Sequence, residues 1–369
     1  MRNSVVIYFF LFFLAVSLLG GSVLTTYTQF VEDGPLSEAV DVVIPKGKSL
    51  KQVARILKRE GVIDSPAIFE LGVRANGNTY QIKSGEYHFP RRASAKLVMN
   101  ILTDGQTVAR RFIAPEGLTS RQIVELMDKY KGLVGEVTEI PRNGSLLPET
   151  YNYSYGDTKE SLIRRMQEAM TKTLNEVWKK RNPAIPLKTP YEAVILASVV
   201  EKETGRSDER PHIASVFYNR LRKNIKLQSD PTVIYAITEG RLDLKRSLTY
   251  KDLKFSSPYN TYVAYGLPEG PIANPGRAAL EAVCNPLHTN DLYFVADGTG
   301  GHVFAPTYDA HQQNVNEWRR IQKKNKQPKP TAPTPTLPVS ETTIEPVAIV
   351  PQPESLAEPI SQPPIDPIE

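Results

Sequence analysis

The sequence predicts an α+β protein with an N-terminal membrane helix, a small α+β module and a larger mixed α+β domain. Three observations carry this prediction. An uncharged apolar run extends from Val5 to Leu24, and a strand–turn–helix pattern then occurs twice. Farther along, a helix with marked ends at Thr189 and Gly205 precedes short apolar segments separated by Gly- and Pro-rich loops. The chain of 369 residues has room for two or three domains, at roughly 100–200 residues each.

The N-terminal run "VVIYFFLFFLAVSLLGGSVL" has the composition of a membrane span. About 20 apolar residues suffice to cross a bilayer, so we predict a cytoplasmic N-terminus at 1–4 and a transmembrane helix at 5–27. The alternative is a cleavable signal peptide, but its apolar core is typically ~7–15 residues long and no clear A-x-A site follows. Arg2 before the span favours a single-pass inner-membrane protein whose body lies outside the cytoplasm, as a periplasmic domain.

Composition excludes several classes of function. The net charge of +5 comes without a dense basic run, so we expect no nucleic-acid partner. The single cysteine and five scattered histidines have no metal-ligand spacing, and we expect neither a metal nor a cofactor. The segment 327–369 is rich in proline and carries only acidic charges after Lys329, which predicts a disordered tail.

The body contains an internal echo. "VIPKGKSLKQVARI" (43–56) and "IAPEGLTSRQIVEL" (113–126) align residue for residue as a strand, a Pro–x–Gly turn and a helix. Ser49 with Gln52, and Thr119 with Gln122, have the spacing of a capping box. The pattern fits either a true duplication or the repeated use of a common device.

We place a first module at 41–106, a second α+β connecting subdomain at 107–186 and a further domain at 187–326. The opening run "VVIPKGKSLKQVARIL" resembles a LysM-like domain, a small fold that binds N-acetylglucosamine polymers. The resemblance implies sugar binding by the first module. The alternative is a spacer that lifts the next domain off the membrane.

The segment "TPYEAVILASVVEKETG" predicts a helix that ends in two acids. Thr189 suits the N-cap, Glu192 completes a capping box and Gly205 suits the exit. The helical wheel leans toward Glu203 as the buried acid, while Glu201 is assigned a supporting or structural role. Burial and the negative end of the helix dipole both raise a carboxyl pKa, as a general acid requires near neutral pH.

Loops rich in tyrosine and asparagine follow this helix. Asp230–Pro231 marks a turn into an apolar segment, and "SPYNTYVAYGLPEGPIANPG" carries aromatic and amide side chains of the kind that line carbohydrate grooves. The alternative is a large loop stabilised by its own turns. "LYFVADGTGGHVFAPT" predicts a β-hairpin.

Several of these stretches together resemble the endolytic murein transglycosylase (YceG-like) family. They are "ASVVEKET", "ERPHIASVFYNRLRKNIKLQSDPTVIYAI", the tyrosine-rich loop, "LYFVADGTGGHVF" and "GSLLPETY". The resemblance spans most of 41–323, in the family's order. It implies that Glu203 is the catalytic residue and that 187–326 is the catalytic domain. Candidate substrate-binding residues are Glu149, Tyr151, Asn219, Arg220, Gln228, Asp230, Tyr235, Asn260 and Tyr262.

The resemblance further implies cleavage of peptidoglycan glycan strands within the chain, leaving 1,6-anhydro-N-acetylmuramic ends and terminating nascent strands. It makes glycan strands the substrate and peptidoglycan synthases candidate partners. Asp208, Glu209 and Asp230 could each supply a second acid, so a hydrolase that uses water remains open. A non-catalytic wall-binding scaffold is the third hypothesis.

Overall fold

A computed structural model describes residues 2–241 and 244–326. Contacts divide the chain into two units, the first made of Met1–Ile113, Val124–Glu139 and Thr150–Arg165. The second is made of Ala114–Ile123, Ile140–Glu149 and the chain from Met166 onward. The predicted connecting subdomain at 107–186 contributes to both units, and the predicted tail at 327–369 lies outside the described residues. The elements in chain order are α1 Arg2–Val31, β1 Val40–Ile44, α2 Leu50–Arg59, α3 Pro66–Ala75, β2 Gly85–Phe89, α4 Ala95–Asp104, β3 Arg110–Ile113, α5 Ser120–Met127, β4 Thr150–Tyr153, α6 Lys159–Lys179, α7 Pro190–Glu203, α8 Arg210–Arg222, α9 Asp230–Thr238, α10 Tyr250–Leu253, α11 Arg277–Cys284, β5 Tyr293–Ala296, β6 His302–Ala305 and α12 Tyr308–Lys326.

Helix α1 is long and apolar enough to cross a membrane over Phe9–Val31, and that stretch carries exposed apolar side chains. Its last turn differs, because Phe30 is buried in the core of the first unit. A Cβ at Gly72 of α3 would lie 2.2 Å from the Phe30 ring, so this close approach requires glycine. The apolar helix is therefore seated directly on the small module.

The small module is a two-stranded antiparallel sheet covered by helices. Strands β1 and β2 pair with Val40 opposite Phe89, and α2, α3 and α4 complete the core. The order from β1 is strand, helix, helix, strand. The fold is therefore mixed α+β, as predicted, while a LysM-like identity and sugar binding by this module stay predictions.

The two copies of the repeated sequence pattern also have similar local structures. Both predicted capping boxes form, Ser49 with Gln52 and Thr119 with Gln122. Gly47 and Gly117 have the same left-handed φ of 76°, which favours glycine in the Pro–x–Gly turn. Each copy's strand also pairs antiparallel with a strand that comes later in the chain, β1 with β2 and β3 with β4.

The second unit is built around α7. Every residue from Ala193 to Glu201 is buried, because α8 and α11 pack against this helix. The predicted hairpin is confirmed as β5 and β6, which pair antiparallel and pack against α12. A helix buried all round leaves its ends as the places where polar side chains can gather.

Candidate active site

Helix α7 begins and ends where its cap residues predict, with Gly205 just beyond the C-cap. Thr189 is the N-cap and its hydroxyl accepts the Glu192 N–H at 3.2 Å. The Glu192 carboxylate accepts the Lys188 N–H at 2.5 Å, so the predicted capping box with Thr189 is wrong. The C-cap is Thr204 in an extended conformation. The helix therefore ends on Glu203.

The two glutamates at this end lie in different environments. Glu201 is 9% exposed, and Glu203 is half-buried as a whole residue while its carboxyl group is enclosed by the protein. Glu201 accepts hydrogen bonds from Arg210 at 2.6 Å and from the Gly276 N–H at 2.9 Å. Burial raises the pKa of Glu201, while Gly276 and Arg210 oppose this shift. Its contacts make Glu201 a packing residue that joins α7 to α8.

The carboxyl group of Glu203 faces the beginning of α9. The Ser229 hydroxyl, at the N-cap of α9, donates a hydrogen bond to Glu203 Oε1. Gln228 has a left-handed φ of 49°, an uncommon conformation for a residue with a long side chain, immediately before Ser229. The positive end of the α9 dipole lies on the same side as this hydrogen bond and also favours the carboxylate.

The pKa of Glu203 is raised to about 7, chiefly by burial. The Ser229 hydrogen bond and the charge of Arg220 oppose this shift, and the charge of Asp230 adds to it. A carboxyl group with this pKa populates both protonation states near neutral pH. It can therefore give up a proton in one step and take one back in the next.

Asp230 and Tyr262 form a second titratable pair beside Glu203. The Tyr262 hydroxyl donates to Asp230 Oδ1 at 2.6 Å, and burial raises the pKa of both groups. Asp230 Oδ2 is buried without a hydrogen-bond partner in the described part of the chain. The site thus contains a second carboxyl group besides that of Glu203.

Arg220 supplies the buried cation of the site. The residue is 4% exposed, and its guanidinium donates to the carbonyls of Leu292 at 2.6 Å and Leu227 at 2.9 Å. It also donates to the Gln228 side chain at 3.4 Å. These contacts hold Arg220 where its charge favours the ionised form of Glu203.

Two predicted substrate residues are engaged with the backbone. The Asn219 amide donates to the carbonyls of Thr289 and Asp291, at 2.9 and 3.0 Å. Asn260 is fully buried and its amide donates to the carbonyls of Leu253 and Phe255. Both amides fix loops, which leaves them little capacity to bind a ligand.

The remaining predicted residues are Tyr235, Glu149 and Tyr151. The Tyr235 hydroxyl accepts the Asn143 amide at 2.8 Å, toward the other end of α9. Glu149 is exposed in the second unit, and its carbonyl accepts the Ala114 N–H. Tyr151 is buried on β4 in the first unit. Within the second unit, the described contacts of Tyr235 and Glu149 do not include Glu203.

The structure separates the three candidates for a second acid. Asp208 is exposed and paired with Arg206, which lowers its pKa. Glu209 accepts a hydrogen bond from the His302 backbone N–H at 2.9 Å. Its carboxylate also forms a hydrogen bond with the His302 ring nitrogen Nδ1 at 2.7 Å. Only Asp230, of these three, has an interaction with Glu203.

Sequence reasoning missed Ser229 and Thr261. Ser229 donates to Glu203, and its own N–H donates to Thr261 Oγ1 at 3.0 Å. A signal for Ser229 was present, because a serine before Asp–Pro is a strong N-cap and would bring its hydroxyl to a helix end. Nothing in the local sequence pairs Thr261 with a serine 32 residues earlier.

The chain is similar to a known protein family and to several of its members. The YceG-like family profile matches residues 42–317. A Bacillus subtilis (strain 168) protein named endolytic murein transglycosylase is 32% identical over 309 residues, which cover 74% of this chain and 83% of that protein. A Streptococcus pneumoniae (strain D39) protein of the same name is 30% identical over 360 residues, and the match covers 84% of this chain and 64% of that protein. A solved structure described as a YceG-like protein of Listeria monocytogenes is 30% identical, covers 75% of this chain and 98% of that one, and has a TM-score of 0.49. Because the family profile spans well over half of its length, the chain belongs to the YceG-like family.

Proposed function

We propose that this protein is a lyase, a membrane-anchored endolytic transglycosylase that cleaves the MurNAc–GlcNAc bond of nascent peptidoglycan strands and terminates their elongation. The names of the two relatives support the reaction class. The observation that carries the proposal for this chain is the Glu203 carboxyl, which accepts the Ser229 hydroxyl and has a pKa raised to about 7. The pKa of Glu201 is also raised to about 7, but the Glu201 carboxylate is occupied by Arg210 and the Gly276 N–H. A single carboxyl that populates two protonation states can act first as acid and then as base in a reaction that uses no water.

In the proposed reaction, protonated Glu203 donates its proton to the glycosidic oxygen as the C1–O bond of the muramic residue breaks. The resulting carboxylate then accepts the proton of the muramic 6-hydroxyl as that oxygen bonds to C1. The products are a free hydroxyl on the leaving sugar and a 1,6-anhydro end. Ser229 and Arg220 stabilise the carboxylate formed between the two transfers.

Asp230 supports a second candidate function, a hydrolase acting on the same bond. Its charge influences Glu203, and its Oδ2 has no partner within the described residues, so it could orient a water. Hydrolysis leaves reducing ends, whereas the transglycosylase leaves anhydro ends. The two products differ by one water in mass.

The anchor completes the proposed function. The apolar helix over Phe9–Val31 would hold the enzyme at the membrane, and the substrate named for its relatives lies outside the cytoplasm. We therefore propose a single pass with the body on the outer side, close to nascent strands and their synthases.

Glu203→Gln tests the assignment, since it keeps the shape of the side chain but removes its titrating proton. We expect anhydro-muropeptide release from purified sacculi to fall by about 10²–10⁴-fold, the usual contribution of general acid–base catalysis. Glu192→Gln, in the first turn of the same helix, is the matched control and should retain activity, because the amide oxygen can still accept the Lys188 N–H. Glu201→Gln is a poor control, because it weakens the buried contact with Arg210.

Mass spectrometry of the released muropeptides distinguishes anhydro ends from reducing ends and therefore measures both reactions in one experiment. Near-normal turnover by Glu203→Gln would reject the one-carboxylate mechanism. Reducing ends that disappear in Asp230→Asn would favour the hydrolase instead.

A further inference from the structure

A cavity of about 410 Å³ lies at the far end of α9 from Glu203. Its lining includes Arg121, Tyr235, Glu239, Arg241 and Tyr259, all in the second unit. The volume is within the roughly 300–1,000 Å³ range of ligand pockets. None of the contacts described for the Glu203 site uses its arginines.

Two tyrosines form a rigid aromatic wall of this cavity. The rings of Tyr235 and Tyr259 are 4.8 Å apart at 54°, and both are half-buried. The Asn143 amide fixes the Tyr235 hydroxyl at 2.8 Å. An aromatic face with one apolar side and one wet side suits the C–H face and the hydroxyl groups of a sugar ring.

The charged residues of the cavity favour an anion. The Arg121 guanidinium is exposed and has no ion pair or hydrogen bond within the part of the chain that the structure describes. Arg241 pairs with Glu239 at 2.6 Å, but both side chains are more than 60% exposed. Such a surface pair is worth little, so Arg241 can exchange Glu239 for another carboxylate.

The helix itself does not supply this attraction. The cavity lies at the C-terminal end of α9, where Glu239 is the C-cap, and the carbonyls at that end repel a carboxylate. Binding of an anion there therefore depends on the two arginines.

The distance of the cavity from Glu203 suits a glycan strand that is bound at Glu203 and extends along α9. Asp230 begins α9, while Tyr235 and Glu239 come five and nine residues later. At about 1.5 Å of rise per residue, this places the cavity roughly 8–14 Å along the helix, about the length of a disaccharide.

We propose that this cavity is a distal glycan subsite, in which Tyr235 and Tyr259 pack on a sugar ring and Arg121 and Arg241 bind a carboxylate carried by that part of the strand. The inference rests on the proposed function, which supplies the glycan. The carboxylate can come from a stem peptide or from the lactyl group of a peptide-free muramic residue.

The test measures the binding of full-length protein in detergent to labelled strands, with Glu203→Gln present in every sample to prevent cleavage. Three strand preparations serve as probes: peptide-bearing strands, strands stripped by an amidase, and strands whose carboxyls are converted to neutral methylamides. Arg121→Gln and Arg241→Gln should each weaken binding to carboxylate-bearing strands about tenfold, as expected for loss of a charged hydrogen bond. Arg319→Gln, which removes the same charge from exposed surface of α12, should bind normally.

The three preparations decide the outcome. If the arginine variants bind only peptide-bearing strands more weakly, the carboxylate belongs to the stem peptide. If they bind stripped strands more weakly, it belongs to the lactyl group. An equal loss on neutralised strands, or an equal loss in Arg319→Gln, overturns the subsite. Charge-dependent binding without anhydro ends from the wild-type protein would reject the proposed function but not the cavity, whereas anhydro ends with binding unaffected by the arginine variants would reject the cavity alone.

Discussion

At the scale of single residues, the site depends on two glutamates two positions apart. Successive helical residues are turned by about 100°, so Glu201 and Glu203 point to nearly opposite sides of α7. One side meets Arg210 and Gly276, and the other meets Ser229. The same residue type therefore serves as a packing ion pair in one position and as a proton donor in our proposal in the other.

The Ser229 hydrogen bond predicts a specific pH dependence. If Glu203 acts as a general acid, kcat/KM should fall as the pH rises through about 7, where its proton is lost. Ser229→Ala removes a hydrogen-bond donor that favours the carboxylate form of Glu203. The alkaline limb of the kcat/KM profile should therefore move to higher pH by about half to one unit. Ser215→Ala, a buried serine bonded to Thr289, is the control. A limb that stays in place or moves down would contradict the role of Ser229.

The raised pKa of Glu203 also predicts a stability effect. Because the folded protein holds this proton up to about pH 7 and the unfolded chain only to about 4.5, the group contributes less stability as the pH rises through that window. Glu203→Gln lacks this loss, so its stability relative to wild type should be higher at pH 8 than at pH 5, by about 1–3 kcal/mol. Paired thermal unfolding curves at the two pH values measure the difference. A smaller advantage at pH 8 than at pH 5 would show that the pKa is not raised.

At the scale of elements, the packing around α7 holds the helix, and with it the Glu203 carboxyl, in place. It is buried from Ala193 to Glu201, and the Glu201–Arg210 ion pair ties it to the start of α8. The α9 N-cap then faces its end through Ser229. The end of α7 is therefore held between the start of α8 on one side and the N-cap of α9 on the other.

The buried ion pair predicts a large cost for losing its cation. Arg210→Met leaves Glu201 buried without its partner, and breaking such a pair typically costs about 3–5 kcal/mol. Arg206→Met, which breaks an exposed pair with Asp208, should leave the free energy of unfolding nearly unchanged. Chemical denaturation of both variants measures the contrast. Equal stabilities would mean that the pair does not hold α7 and α8 together.

At the scale of the whole molecule, the apolar helix and the small module form one continuous piece. Phe30, in the last turn of α1, lies in the module core against Gly72, and Arg92 pairs with Asp33 just after the helix. Under the proposed function, a helix seated in this way would hold the module close to the membrane surface.

This arrangement predicts that α1 stays in the mature protein as an anchor. The N-terminus purified from membranes should begin at or near Met1, and the protein should need detergent for extraction. Intact-mass measurement of the membrane fraction checks both. A mature chain that begins near Thr25 and washes off with salt would identify a cleaved signal peptide instead.

Local signals determined the caps, turns and hairpin. The capping boxes at Ser49 and Thr119, the start of α7 at Pro190 and the β5–β6 hairpin each depend on residues within a few positions along the chain. The choice of Glu203 as the acid also came from the sequence, by resemblance, and remains a proposal. Its helical wheel did not settle which acid is buried.

Only the tertiary structure decided the surroundings of that acid. Ser229 is 26 residues from Glu203, and Gly276 is 75 residues from Glu201, so no periodicity could pair them. The same holds for the asparagine side chains at 219 and 260, which pack against loop carbonyls. Hydrogen-bond partners, burial and pKa depend on which segments meet when the core packs, whereas caps and turns depend on neighbouring backbone groups. The elements could therefore be predicted from the sequence, and the electrostatics of the site could not.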